Sequence, residues 1–264
     1  MIKVGVVGAL GKMGKEVIKA VFNSSDMKIV MAVDIQKVGV DVGSLILGQN
    51  IEVKIEEDLI NSIKTSKPDV IVDFTQPSTI YEHVCTYMDQ QIHSVIGTTG
   101  LNEDQLKNIE SMSKENNTSC LIAPNFSTGA ILLMNFAKQA AKYFDNAEII
   151  ELHHNQKKDA PSGTAIKTAQ LMSESNNNFS TGNCTEVELL QGARGANTDS
   201  NIRIHSVRMP GYIASQEVIF GANGQIFKIK HDTMDRSCYM AGVLLAIRHV
   251  YDNISFVYGL ENIM

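Results

Sequence analysis

The chain lacks the marks of several large functional classes. Its four cysteines, Cys85, Cys120, Cys184 and Cys238, are far apart and form no CxxC pair. A zinc site or a thioredoxin-like redox motif therefore has no ligand set, and no metal is expected. Reduced, packed thiols in a cytoplasmic protein are the expectation. No apolar run approaches the ~18 residues of a membrane span. Lysines are scattered rather than clustered and the formal net charge is −6, so neither nucleic acid nor a membrane surface finds a basic footprint. Residues 1–8 enter a strand-like run without the charged start and small-residue cleavage site of a secretory signal. No repeat or low-complexity tract is visible. What the chain does have is length and apolar content: 264 residues, 44% of them hydrophobic, are enough for one large or two ordinary domains with a full core.

Strand and helix signals alternate through the first ~125 residues, which points to βαβ units and a parallel sheet. Strands are expected at 2–8, 28–34, 70–75, 94–98 and 119–123, with a short one at 53–55. Helices are expected at 12–23, 78–90 and 102–115. The continuous Val/Ile runs suit strands covered on both faces. After Pro124 the pattern changes. A long apolar helix over 129–144, a strand over 147–153 and a helix over 164–174 precede a polar loop at 175–183. Strand signals at 185–191, 202–208, 214–221 and 225–231 then follow without helices between them. That run predicts an antiparallel or mixed sheet in a second, α+β domain. A last helix, 235–251, is expected to return to the first domain. The division is thus 1–126 plus 235–264 for a dinucleotide-binding domain and 127–234 for a substrate-binding and oligomerisation domain.

Between the first strand and its helix lies Gly8-Ala9-Leu10-Gly11-Lys12-Met13-Gly14. Glycines at this spacing permit a tight turn and close approach of a pyrophosphate to the backbone, at the positive end of a helix. Asp34 ends the next strand, where an acid accepts hydrogen bonds from the adenosine ribose. Asp34 favours NADH, whereas Lys12 and Lys37 offer charge to a 2′-phosphate, so both NADH and NADPH stay open as cofactors. Three further loops fall at strand carboxyl ends: Asp73-Phe74-Thr75-Gln76-Pro77, Gly97-Thr98-Thr99-Gly100 and Ala123-Pro124-Asn125-Phe126-Ser127. These suit the nicotinamide half of a dinucleotide, and the last also serves as a hinge.

The most informative segment is 151–165, which reads ELHHNQKKDAPSGTA. His153 and His154 are neighbours at a strand end, so they point to opposite faces and do not share a metal. Lys157 stands just beyond, Asp159 can pair with it or orient a histidine, and Lys158 is read as surface. Gly163 and Thr164 open a helix whose N–H groups make a carboxylate seat. Proton donors beside an anion seat suit an enzyme that holds an anion and protonates it.

Taken together, these motifs resemble the 4-hydroxy-tetrahydrodipicolinate (dihydrodipicolinate) reductase family of lysine and diaminopimelate synthesis. The match rests on the Glu-Leu-His-His-x-x-Lys-x-Asp-Ala-Pro-Ser-Gly-Thr-Ala stretch from Glu151 to Ala165, with the four loops above in the same order. The resemblance implies an N-terminal Rossmann domain, a C-terminal mixed-sheet domain that builds a homotetramer, and a small cyclic dicarboxylate substrate. It implies His153 and Lys157 as proton donors and His154, Gly163 and Thr164 as substrate contacts. It implies cofactor contacts at Gly8, Ala9, Leu10, Gly11, Lys12, Met13, Asp34, Gly97, Thr98, Thr99, Ala123, Pro124, Asn125 and Phe126, and the loop reading adds Phe74. The chain departs from many members in having Lys12 rather than arginine and from some in having Ile35 rather than a basic residue, which bears on NADPH use. Two other readings share the glycine loop: another two-domain NAD(P) oxidoreductase, such as an amino-acid dehydrogenase, and a nucleotide-sensing regulator.

Overall fold

The computed structural model describes residues 1–180, 182 and 184–264. It divides into two compact units, Met1–Ser127 with Tyr239–Met264, and Thr128–Cys238. Among the described residues no helix is long and apolar enough to cross a membrane.

The first unit alternates strand and helix: β1 (Ile2–Val7), α1 (Lys12–Phe22), β2 (Met27–Val33), α2 (Val42–Ile46), β3 (Ile55–Glu56), α3 (Leu59–Ser66), β4 (Val70–Asp73), α4 (Ile80–Asp89), β5 (His93–Ile96), α5 (Glu103–Glu115) and β6 (Cys120–Ile122). All residues of β4 and β6 are buried, which needs cover on both sheet faces. Ile71, Ile80, Val84, Tyr87, Met88, Ile96 and Ile109 share one core cluster and are fully buried. Each such side chain contributes about 1.5–3 kcal/mol relative to exposure. Helix starts are set locally: Asp58 accepts from the Asn61 N–H at 2.9 Å, and Asn102 and Gln105 form a reciprocal capping box.

The second unit opens with α6 (Thr128–Ala140), β7 (Asn146–His153) and α7 (Gly163–Ser173), followed by β8 (Ala196–Asn197), β9 (Arg203–Arg208), β10 (Ala214–Ala222) and β11 (Gln225–Thr233). Its sheet runs β11-β10-β7-β9-β8, with β7 and β9 parallel and the other pairs antiparallel. The chain then returns to the first unit through a 3-10 turn at Arg236–Tyr239, α8 (Met240–Asp252) and β12 (Phe256–Tyr258). With β12 added, the first sheet is parallel throughout in the order β12-β6-β5-β4-β1-β2-β3. This is the doubly wound order whose switch point lies between β1 and β4.

One expected strand is absent. The described residues of 185–191 form no strand, and Val187, Leu189 and Leu190 are 78%, 92% and 77% exposed. The competing interaction is a set of carboxylate contacts. Glu188 accepts from the Gly192 and Arg194 N–H groups, while Glu186 pairs with Arg194 and Arg203. These bonds satisfy the local backbone in a turn, so a sheet ladder is not needed. The expected loop at 175–183 holds no helix or strand among its described residues; Thr181 and Asn183 lie outside them. Beyond expectation, α2, α3 and β12 complete the first unit.

Candidate active site

The expected dinucleotide loops meet because the parallel strands end flush. Val7 pairs with Asp73, Asp73 with Ile96, and Ile96 with Ile122. The next residues, Gly8, Phe74, Gly97 and Ala123, therefore leave the sheet side by side, at the carboxyl edge where open α/β sheets bind ligands. Short backbone bonds fasten the row: Phe74 N–H to Val7 O at 3.2 Å, Gly97 N–H to Asp73 O at 2.9 Å and Ala123 N–H to Ile96 O at 3.0 Å.

Gly8 has φ +74°, and a Cβ there would stand 2.8 Å from the Phe74 carbonyl oxygen. At Gly14 a Cβ would stand 2.1 Å from the Gly8 oxygen, so only glycine lets α1 start this close to the turn. Ala9 is buried, Gly11 is the residue before α1, and Lys12 begins the helix with its side chain exposed. Met13 is half-buried in that first turn. Asp34 clasps the loop, accepting from the Leu10 N–H at 2.9 Å through one oxygen and the Gln36 N–H at 3.0 Å through the other. Each carboxylate oxygen keeps further acceptor capacity for ribose hydroxyls. Ile35 and Lys37 are exposed beside it.

Phe74 meets Phe126 edge to face, with ring centroids 5.7 Å apart. Pro124 is exposed, and Asn125 accepts from the Ser127 N–H at 2.9 Å. Thr99 is exposed, whereas the Thr98 hydroxyl is buried without a hydrogen-bond partner among the described residues. An orphaned hydroxyl beside glycine-lined, N–H-rich turns fits the polar nicotinamide half of a dinucleotide. Behind the row, buried Asp73 accepts from Thr75 N–H at 2.9 Å, Thr75 Oγ1 at 2.6 Å and Tyr87 OH at 2.7 Å, and bonds His83 Nδ1 at 2.9 Å. From sequence alone Asp73 stood at a strand end without assigned partners.

In the second unit, β7 ends at His153, and His154 follows outside the strand. The Lys157 ammonium pairs with Asp159 at 2.8 Å, and Lys158 is exposed. Ser162 caps α7 by accepting from the Ala165 N–H, so Gly163 and Thr164 are its first residues. Their N–H groups belong to the first turn, which has no intrahelical acceptors for them. The 151–165 segment thus brings His153, His154, Lys157 and the Gly163-Thr164 turn into one strand–loop–helix unit.

Two members of this site were not assigned a role from sequence: Glu151 and Arg208. Glu151 is fully buried and binds the Arg208 guanidinium through both oxygens, at 2.7 and 2.9 Å. It also meets His153 Nδ1 at 2.5 Å and accepts from the Ser162 N–H at 3.2 Å. Burial works against its charge, but hydrogen bonds from Arg208, Ser206 and His153 prevail and hold its carboxyl below the ordinary value. For His153, burial is the leading influence and lowers its pKa; Glu151 opposes that shift, and the charges of Lys157 and Arg208 add to it. The motif at 151–165 contains Glu151, but nothing in the linear order ties it to a residue 57 positions later.

Comparison with known proteins bears on the same two units. Residues 2–126 match the family model "Dihydrodipicolinate reductase, N-terminus" and residues 129–264 match "Dihydrodipicolinate reductase, C-terminus". The 4-hydroxy-tetrahydrodipicolinate reductase of Rippkaea orientalis is 52% identical, covering 100% of this chain and 98% of the relative. That of a Picosynechococcus species is 51% identical with the same coverage. The solved dipicolinate-bound dihydrodipicolinate reductase of Paenisporosarcina superposes with a TM-score of 0.89 at 43% identity, covering 100% of both chains. An amine dehydrogenase from Mycobacterium smegmatis (TM-score 0.70, 12% identity, 98% and 95% coverage) shares the fold alone.

Proposed function

We propose, for a chain that belongs to the dihydrodipicolinate reductase family of oxidoreductases, the reduction of (2S,4S)-4-hydroxy-2,3,4,5-tetrahydrodipicolinate to (S)-2,3,4,5-tetrahydrodipicolinate, a step of lysine and diaminopimelate synthesis. One substrate, one reduced cofactor and one proton give product, oxidised cofactor and water. The observation that supports this reading is the 151–165 segment, in which His153 ends β7, Lys157 follows in the loop and α7 starts at Gly163.

When bound, the nicotinamide supplies the hydride. Gly8, Ala9, Leu10, Gly11, Lys12 and Met13 would hold the pyrophosphate by backbone N–H groups at the start of α1. Asp34 would take the ribose hydroxyls, and Phe74, Gly97, Thr98, Thr99 and Ala123–Phe126 would orient the nicotinamide half. Asp34 supports NADH, and exposed Lys12 and Lys37 support NADPH; we propose that both are used. Reducing the dehydrated, conjugated imine leaves electron density that takes one proton, which His153 and Lys157 supply. A cation there also stabilises developing negative charge. Gly163 and Thr164 seat one ring carboxylate, and His154 contacts the substrate.

We also propose a homotetramer in the cytoplasm. The outermost strand β11 exposes Ile226 and Phe227, at 71% and 43%, and an apolar edge of this kind is ordinarily covered. Light scattering on the purified chain should give four times the monomer mass.

The deciding experiment compares oxidation of NADH and NADPH on addition of freshly generated substrate. Turnover with both is expected. Cofactor binding without substrate-dependent oxidation would favour a nucleotide-sensing role instead.

A further inference from the structure

We propose that Glu151 and Arg208 are the positioning pair of this site, holding His153 so that Nδ1 donates inward and Nε2 is the nitrogen presented to substrate. This deepens the reduction proposed above and rests on it. Glu151 and His153 are two apart on β7, so their side chains share a face. The parallel register of β7 and β9 sets Arg208 opposite His153. From there its guanidinium reaches Glu151 fork on carboxylate, and Nη2 also donates to the Asp159 carbonyl at 2.8 Å.

One carboxylate therefore serves two parts of the site. Its Oε2 meets the ring of His153, and its Oε1 accepts from the Ser162 N–H, the residue that caps α7. The proton donor and the start of the carboxylate-seating helix are referenced to the same buried group. A buried ion pair adds little stability, because desolvation offsets its attraction. It does decide a tautomer: an ionised carboxylate only accepts, so the imidazole nitrogen against it carries the proton. The charged groups facing His153 are Glu151 on its own strand, Arg208 on β9, and Lys157 in the following loop, itself paired with Asp159. Glu151 favours the imidazolium and the two cations oppose it.

Removing Glu151 or Arg208 should thus move the titration of His153 in opposite directions, which loss of packing alone does not do. The test is a pH series of kcat and KM for the full chain and for Glu151→Gln, Arg208→Gln and Arg208→Lys. The limb belonging to His153 is identified by its disappearance in His153→Gln. It is joined to ¹⁵N spectroscopy of the histidine-labelled, unmutated chain. Neutral His153 is expected to carry its proton on Nδ1. Glu151→Gln should lower kcat about 100-fold and shift that limb to lower pH. Arg208→Gln should shift it to higher pH. Arg208→Lys keeps the charge but loses the fork, so the limb stays while kcat falls about 10-fold. The KM for cofactor should hold throughout.

A proton on Nε2, or limbs of Glu151→Gln and Arg208→Gln that stay fixed or move the same way, overturns the proposal. If a variant fails to fold, the tautomer in the unmutated chain decides. An unmutated chain with no reductase activity overturns the reaction itself, so the two failures are distinguishable.

Discussion

The two units assemble their candidate site residues by different means. In the first, the site is mostly main chain: turns at flush strand ends, with Asp34 clasping the glycine loop through Leu10 and Gln36. In the second it is mostly side chain: His153, Glu151 and Arg208 converge from two strands that are neighbours only in the sheet. A main-chain site suits a ligand whose phosphates and ribose need many similar donors. A side-chain site suits chemistry that needs one proton at one place. The contrast predicts that substitutions in the second unit act on kcat, and those in the first on cofactor affinity.

The largest effect is expected at Lys157. Lys157→Ala should lower kcat by about 100-fold or more with the KM for NADH unchanged, whereas Lys158→Ala should leave both intact. Equal damage from the two, in steady-state kinetics, would erase the distinction between donor and surface lysine. Next is Gly14→Ala, whose Cβ would stand 2.1 Å from the Gly8 oxygen. Overpacking of this kind costs roughly 1–3 kcal/mol, so cofactor affinity measured by fluorescence titration should fall about 5–150-fold. Substrate turnover at saturating cofactor should change far less.

A smaller change sharpens the comparison further. Thr98→Val removes a buried hydroxyl that has no protein partner among the described residues. Affinity for reduced cofactor should fall about 2–10-fold, in line with one lost hydrogen bond of about 0.5–1.5 kcal/mol. The melting temperature should not drop; a drop would mean that the hydroxyl has a structural partner. The smallest effect is on stability against pH. The carboxyl of Glu151 and the imidazole of His153 both titrate below their ordinary values when folded. Each contribution is complete above the unfolded pKa, about 4.3 for Glu and 6.5 for His. Each is lost as pH falls through the folded pKa, because the unfolded chain then binds more protons. Melting temperature should decline with acidification from about pH 6.5, and Glu151→Gln should flatten the acid part of that curve.

Much of the first unit was legible in sequence because its signals are local. β1, β2, β4, β5 and β6 are short runs dominated by aliphatic residues, and Gly, Asp, Thr or Pro follows within two residues of the end of each. The elements that escaped carry weak local signals. In α3, LINSIKTS is short and polar, and its start is set by the Asp58 cap. β12 is three residues that gain strand character only by pairing with β6. The opposite failure occurred at 185–191, where apolar residues read as a strand are exposed while Glu186 and Glu188 serve Arg194 and Arg203 instead.

The chain by itself determined where a phosphate-binding turn can form, because Gly8 and Gly14 are needed for φ and close approach within one turn of chain. It also determined the order of His153, Lys157 and the Gly163 helix start, since a strand end, a loop and a cap are local events. Only the tertiary structure decided which groups act on them. Flush parallel register lines up Gly8, Phe74, Gly97 and Ala123, and the adjacency of β7 and β9 delivers Arg208 to Glu151. Such contacts depend on which strands become neighbours, a choice made by burial of the whole sheet rather than by any short stretch of sequence.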